Sequence, residues 1–270
     1  LAVDTPWKIV GGADKRLDLP PGYTAVPLRE KDDAFAHAVE IAAREGAGTL
    51  VWVPRFDTIE FALVLEPDEP LAAARRVLYP IMSALGDAIA SHCPPERPLT
   101  FSWPDTIMLD RGIIGGMRLA WPQDCAEDAV PDWLVAGAVL RTLVANRRTV
   151  VDFLGQGNVP IPLQLDERFE RGNTLQSDDF EMMPAETIIG SFCRHFLVHL
   201  DQWHEKGFTP VAQSYLARLP EEHVVRRGID VNGDLLVRTL KAPTTPERQL
   251  LLPALAVPQW RDPETGEPWL

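Results

Sequence analysis

Three groups of residues have types and spacings that could do chemistry. The first is Gly115-Gly116, inside a strand-like run and followed by Arg118. Two positions without side chains expose backbone N–H groups to a carboxylate or carbonyl, unless the pair simply marks a bulge. Arg118 lies two residues beyond Gly116, so the period of a strand puts it on the same face, where it could offer a cation to the same ligand. Gly116→Val should then block binding and leave the fold intact. The second group is His195 and His199, four apart on one helical face as a metal would need. Their segment HFLVH lacks a metalloprotease glutamate, and His199 falls in the apolar series Phe192, Phe196, Trp203, so it reads as a hydrogen-bonded core histidine, with metal binding the lesser alternative. No metal is expected. The third group is Cys93, Cys125 and Cys193, too few and too scattered for a disulfide scaffold or a CxxC zinc site. Cys125 sits among Asp124, Glu127 and Asp128, where negative charge disfavours a thiolate, and Cys193 sits in a helix. Asp230-Val231-Asn232-Gly233-Asp234 opens like a calcium loop, but Leu235 and Lys241 stand where a glycine and a glutamate are required.

These residues are positioned by elements that periodicity makes visible. From Asp33, the residues Phe35, Ala38, Val39 and Ala42 share a helical face, and Gly46 and Gly48 end it. Residues 49–53 and 60–65 read as strands. A helix is expected between Pro70 and His92, with Pro80 kinking it or splitting off its first turn. Strands are expected at 99–103, 113–121 and 133–144, then a polar excursion over 146–184, then a helix over 185–205 ended by Gly207. Asn232-Gly233 between β-rich runs predicts a hairpin with a two-residue type I′ turn. The expected organisation is an N-terminal arm (1–31), a main domain (32–207) and a small β-rich C-terminal domain (208–270).

The 46% hydrophobic share with 24% charged residues is that of a chain that folds. A net charge of −13 argues against nucleic acid, which requires a basic field. No apolar run approaches the roughly 18–20 residues of a membrane span. Leu1-Ala2-Val3-Asp4 lacks the pattern of a signal peptide. No membrane partner and a cytoplasmic location are therefore expected.

Phe101-Ser102-Trp103-Pro104-Asp105-Thr106-Ile107, followed by Gly112-Ile113-Ile114-Gly115-Gly116-Met117 and then Trp133 to Val139, resembles the core of the biotin/lipoate A/B protein ligase family. In that family a Trp-Pro-Asn-Asp turn leads into a Lys-x-x-Gly-Ile strand and a further apolar strand. Gly228-Ile229-Asp230 and Gly233-Asp234-Leu235-Leu236 resemble the hairpin of its SH3-like cap. The resemblance implies an α+β fold, with a mixed sheet flanked by helices and a small β-rich C-terminal cap. It implies an acyl-ligand pocket involving Trp103, Asp105, Arg111, Gly115, Gly116, Arg118 and Gly137. Biotin, lipoate or ATP with Mg would be the cofactors, and a biotinyl or lipoyl carrier domain the protein partner.

The sequence departs from the family in three places. Asp105-Thr106 replaces Asn-Asp. Trp52-Val53-Pro54-Arg55-Phe56-Asp57 replaces the Gly-Arg-Gly-Arg-x-Gly loop. Ile113 stands at the lysine, and the chain's lysines, Lys8, Lys15, Lys31, Lys206 and Lys241, leave none between 32 and 205. Adenylate chemistry needs a fixed cation at the phosphate. Three readings stay open: a divergent binder of an acyl ligand without ATP-dependent ligase activity, an active acyl ligase or transferase using Arg118 or Arg111, and an interaction scaffold.

Overall fold

Strands that are for the most part apolar build a seven-stranded sheet. The structure is a computed structural model and describes residues 17–55, 57–93, 95–142, 184–220, 226–239, 242–265 and 268. The strands are β1 (Thr24–Pro27), β2 (Thr49–Val53), β3 (Thr58–Leu65), β4 (Leu99–Ser102), β5 (Thr106–Leu109), β6 (Gly112–Ala120) and β7 (Leu134–Arg141). Their order is β1-β2-β3-β7-β6-β5-β4, with β1 parallel to β2 and every other pair antiparallel. The strands expected from periodicity are all found, shifted by a residue or a few at their ends. Residues 143 and 144 and nearly all of the 146–184 excursion lie outside the described residues, as do residues 1–16 of the arm.

Two strands of this sheet escaped the sequence reading, as did the third strand of the small C-terminal sheet (Ala242–Gln249). β1 lies in the segment read as an arm. It is an edge strand, mostly exposed and closed by Pro27, so it carries no apolar alternation. β5 continues directly from the Trp103-Pro104 turn, where Trp103-Pro104 is a cis peptide bond. It joins β6 through Asp110 and Arg111, both at positive φ (50° and 69°), the backbone of a tight two-residue hairpin turn.

One face of the sheet carries the main core. Leu50, Phe61 and Leu63 pack there with the helices α3 (Leu78–Ala90), α4 (Ala185–Lys206) and α5 (Phe208–Leu216). Before α3 the chain makes a short helix, α2 (Leu71–Ala74), and a 3₁₀ turn (Arg75–Val77). Pro80 thus falls in the first turn of α3, where its missing N–H leaves no bond unmade, and the interruption precedes it. The other face is covered by α1 (Ala34–Glu45). Ala34, Ala38, Ile41 and Ala42 meet Val51, Val53, Ala62, Val64 and Val135 there. Asp33 caps α1 by accepting the Ala36 N–H at 2.8 Å, and Gly46, at φ 77°, ends it.

Residues 208–216, read from sequence as the start of a β-rich unit, are helical. Val211, Ala212 and Tyr215 are buried, and Tyr215 Oη donates to the Pro104 carbonyl at 2.9 Å. The three-stranded antiparallel sheet begins further on, with β8 (Arg226–Ile229), β9 (Leu235–Thr239) and β10 (Ala242–Gln249), followed by α6 (Leu251–Ala256). A hairpin at Asn232-Gly233 is present, but its turn is not type I′. Ile229 pairs with Leu235, leaving a five-residue loop in which Gly233 alone has positive φ. The Asp230 carboxylate sets this geometry by accepting the N–H groups of Asn232 (2.9 Å) and Asp234 (3.0 Å). No helix among the described residues is long and apolar enough to cross a membrane.

Candidate functional site

Because α1 begins at Ala34, it leaves part of its sheet face uncovered. A cavity of about 450 Å³ opens there, lined by Lys31, Asp32, Asp33, Arg55, Glu60, Arg118, Val139, Trp260 and Arg261, among others. A larger cleft of about 550 Å³ lies beside α4, walled by Leu65, Val77, Leu134, Phe196 and Trp203 with an acidic rim. Among the described residues it is lined by no Lys or Arg and by none of the ligand-site residues expected from sequence, so the smaller cavity is the better candidate despite its size.

The start of α1 is held by carboxylates. Buried Glu60 accepts the Ala34 N–H at 2.9 Å and the Arg55 guanidinium at 2.5 Å. Burial pushes the Glu60 carboxyl up, against the pull of those two donors. Arg55 also donates to the carbonyls of Glu30 (2.8 Å) and Asp32 (3.0 Å), and so ties the loop before α1 to the sheet. Arg118 Nη2 meets both Asp33 oxygens at 3.0 and 3.2 Å, and its guanidinium lies 4.0 Å from the centre of the Phe35 ring. Burial alone would raise Asp33, but the Ala36 N–H and Arg118 outweigh it and hold the carboxyl low.

Strand β6 bears out the period-two geometry between Gly116 and Arg118, because its irregularity precedes them. Gly115 has φ 149° and sits where the β5–β6 register shifts; a side chain there would overlap the Val139 carbonyl. Ile114 and Met117 consequently both reach the main core. Gly116 has a different reason to be bare. The fully buried indole of Trp260 rests where its side chain would be, and the Asp105 carbonyl lies 2.6 Å from the Cβ position. Gly116→Val therefore cannot leave the packing intact, a correction to the expectation from sequence. Gly137 is bare because the Phe35 ring occupies its side-chain position.

The remaining expected site residues separate. Asp105 is 1% exposed beneath Trp260, and burial pushes its carboxyl up to about 7, against the interactions with Trp260, Thr106 and Arg261. The Trp260 indole N–H reaches towards this carboxyl without the geometry of a full hydrogen bond. Trp103 belongs to the main core, where its Nε1–H donates to Tyr79 Oη at 3.2 Å. Arg111 sits at the β5–β6 hairpin turn and does not line the cavity. His199 Nε2 lies 2.7 Å from Asp87, whose carboxylate also pairs with Arg218, while His195 faces Ser91 at 3.3 Å. Among the described residues no three His, Cys, Asp or Glu side chains gather as a metal site. Burial pushes the Cys193 thiol up to about 12, far from a thiolate at neutral pH.

Sequence reasoning missed Trp260 and Arg261. They lie on a C-terminal strap after α6, held to the sheet where Ser102 Oγ donates to Gln259 Oε1 (2.7 Å) and turned within itself by the Asp262 carboxylate accepting the Glu264 N–H (2.8 Å). No periodicity marks such a segment; Asp262-Pro263 signals a turn and nothing more. Lys31 was counted from sequence but placed outside the pocket, and Arg55 was noted as part of a missing loop rather than as a wall residue.

Comparison with known proteins adds to this geometry. The profile of the biotin/lipoate A/B protein ligase family matches residues 19–217. A protein of Paracoccus denitrificans named biotin--[acetyl-CoA-carboxylase] ligase is 23% identical over 235 residues, covering 82% of this chain and 88% of that one. Among solved structures, a biotin protein ligase-like protein of unknown function from a Silicibacter species has a TM-score of 0.69 at 23% identity, covering 87% of this chain and 97% of that one. The biotin protein ligase of Aquifex aeolicus, in complex with biotin and ATP, has a TM-score of 0.58 at 14% identity, covering 84% and 95%.

Proposed function

We propose that this chain, which belongs to the biotin/lipoate A/B protein ligase family, binds a small acyl acid in the cavity before α1 and has diverged from ATP-dependent ligation. The observation that carries the reading is the cavity itself. About 450 Å³ suits a small ligand, and the cavity opens beside Arg118 of β6, the strand whose Gly112 to Met117 resemble the family's ligand strand. The Aquifex aeolicus relative, similar in fold, binds biotin and ATP, which supports the class of ligand. Divergence is supported by the sequence. The region 32–205 has no lysine, and Arg118 is fixed in place by Asp33 and the Phe35 ring, able to hold a static anion but not to follow a phosphate through a reaction as a lysine does. Any Mg²⁺ would come with the nucleotide's phosphates and need one or two carboxylates. Of the carboxylates that line the cavity, Asp33 and Glu60 are committed to backbone N–H groups and arginines, and Asp32 accepts the Arg29 N–H.

A second reading, an active ligase or transferase acting on a carrier-domain lysine, is favoured by the Paracoccus denitrificans relative and by Lys31 and Arg55 at the cavity. The two readings separate in one assay. Neither biotin nor lipoate should support ATP/pyrophosphate exchange above a no-acid control. Exchange clearly above that control makes the ligase reading the correct one. Native mass spectrometry of the purified protein should show a co-purified acid or retention of an added one; a bare mass under both conditions favours a scaffold.

A further inference from the structure

We infer that Arg261 of the C-terminal strap and Arg118 of β6 together hold an anionic oxygen group, a carboxylate or a phosphate, of the ligand in the cavity before α1. This rests on the reading of that cavity as a ligand site and deepens it by naming the ligand's charged group and the residue that selects it. Arg261 lies outside the residues matched by the family profile, 19–217, and belongs to none of the motifs that carry the resemblance.

The argument starts from unmade hydrogen bonds. The Nε atoms of Arg118 and Arg261 are both buried and both lack an acceptor. A buried donor of a charged group is costly to leave unpaired, and both residues line the one cavity, so a small shift of either guanidinium towards an acceptor held there would relieve that cost. The carboxylates that line the site have other partners, Asp32 accepting the Arg29 N–H at 3.0 Å. Asp33 takes Arg118 Nη2 and the Ala36 N–H, while Glu60 takes Arg55 and the Ala34 N–H.

The two guanidiniums also repel each other. Burial lowers the pKa of Arg261, and the charge of Arg118 lowers it further against the weaker pull of Asp33 and Asp105. An anion between them would answer both Nε–H groups and screen the repulsion. Arginine suits that task, because its planar fork matches a carboxylate or phosphate oxygen pair. The strap brings Arg261 to the site through Trp260, whose indole is clamped over Gly116. The bare glycine thereby positions a cation supplied from far along the chain.

The test is calorimetric titration of the full chain with octanoate, octanamide and inorganic pyrophosphate. Octanoate and octanamide share a shape and differ in charge, while pyrophosphate separates a phosphate source from a carboxylate one. Octanoate, pyrophosphate or both should bind. Arg261→Gln should weaken that binding at least tenfold, Arg261→Lys should recover part of it, and exposed Arg44→Gln should leave it unchanged. Octanamide should bind at least tenfold more weakly than octanoate.

Thermal melting of Arg261→Gln within a degree or two of wild type shows that the strap stays docked; if it does not, Arg118→Gln supplies the same comparison from the sheet side. Equal binding of octanoate and octanamide, without pyrophosphate binding, overturns the anion site while the acyl-ligand reading stands. Pyrophosphate binding that depends on Arg261, with no binding of octanoate, supports the anion site and counts against the acyl ligand. Failure of both anions to bind, or binding indifferent to Arg118 and Arg261, overturns the inference.

Discussion

Gly116→Val should lower the unfolding free energy by about 3–5 kcal/mol, with or without ligand. A side chain at this position meets the Trp260 indole on one side and the Asp105 carbonyl, 2.6 Å from its Cβ, on the other. The carbonyl belongs to backbone that also accepts the Met117 N–H at 2.9 Å, so it yields poorly. The indole must move, and expelling a fully buried tryptophan costs about what truncating it does, roughly 3–5 kcal/mol. Trp260→Ala should therefore show a loss of similar size. Since both variants forfeit one contact, their losses should not add. Urea unfolding of the two single variants and the double variant should give a coupling of about 1–3 kcal/mol. Additivity within about 0.5 kcal/mol would mean that Trp260 is not seated on Gly116, and the account of the strap would fail with it.

The legibility of this chain follows from how locally each contact is encoded. α1 was readable because Ala38 and Ala42 repeat at helical spacing behind an aspartate cap, and β7 because its residues are all buried and leave an unbroken apolar run. α5 carried the same kind of signal in Phe208, Val211, Ala212 and Tyr215, but Gly207 suggested that helix had ended. At that glycine (φ 77°) the chain turns and starts a second helix. The hairpin at Asn232-Gly233 was legible as a hairpin, and its turn type was not. The loop length depends on the Asp230 carboxylate bonding two N–H groups, a side-chain choice that the dipeptide does not disclose.

The site divides in the same way. Arg118 and Gly116 share a face because strand period is local, and that much was readable from the two residues alone. What covers Gly116 was not, since Trp260 arrives from the other end of the sequence. Counting lysines between 32 and 205 suggested a site short of cations. The cavity draws Lys31 from just before that interval and Arg261 from well after it. Glycine was a reliable sign of close approach and an unreliable sign of what approaches. Phe35 fills the space at Gly137, Trp260 fills it at Gly116, and the bulge explains Gly115.

Asp105→Asn should flatten the dependence of stability on pH between about 4 and 7. Asp105 is 1% exposed, and burial raises its carboxyl from 3.8 in the unfolded chain to about 7 in the folded one. Below the unfolded value both states hold the proton and the group contributes no pH dependence. Between the two values the folded state holds a proton that the unfolded state has released, so stability falls as pH rises. Three units at about 1.4 kcal/mol each give a loss on the order of 4 kcal/mol by the time pH passes 7. Asparagine carries no such proton. Asp33 and Asp87 are held low in the folded state and act with the opposite sign, losing stability as pH falls below the ordinary aspartate range, but both proteins carry them and they cancel in the difference. Urea unfolding of wild type and Asp105→Asn at intervals from pH 4 to pH 8 reads that difference directly. The wild-type curve should decline relative to the variant across this range. A constant difference would mean that Asp105 is ionised throughout, with Arg261 as its counter-ion, and Arg261 would then be less available to a ligand. In the protonated form Asp105 offers a donor and an acceptor, as the amide at the matching position of the family does, so below about pH 7 the change from Asn to Asp is chemically smaller than it looks in the sequence.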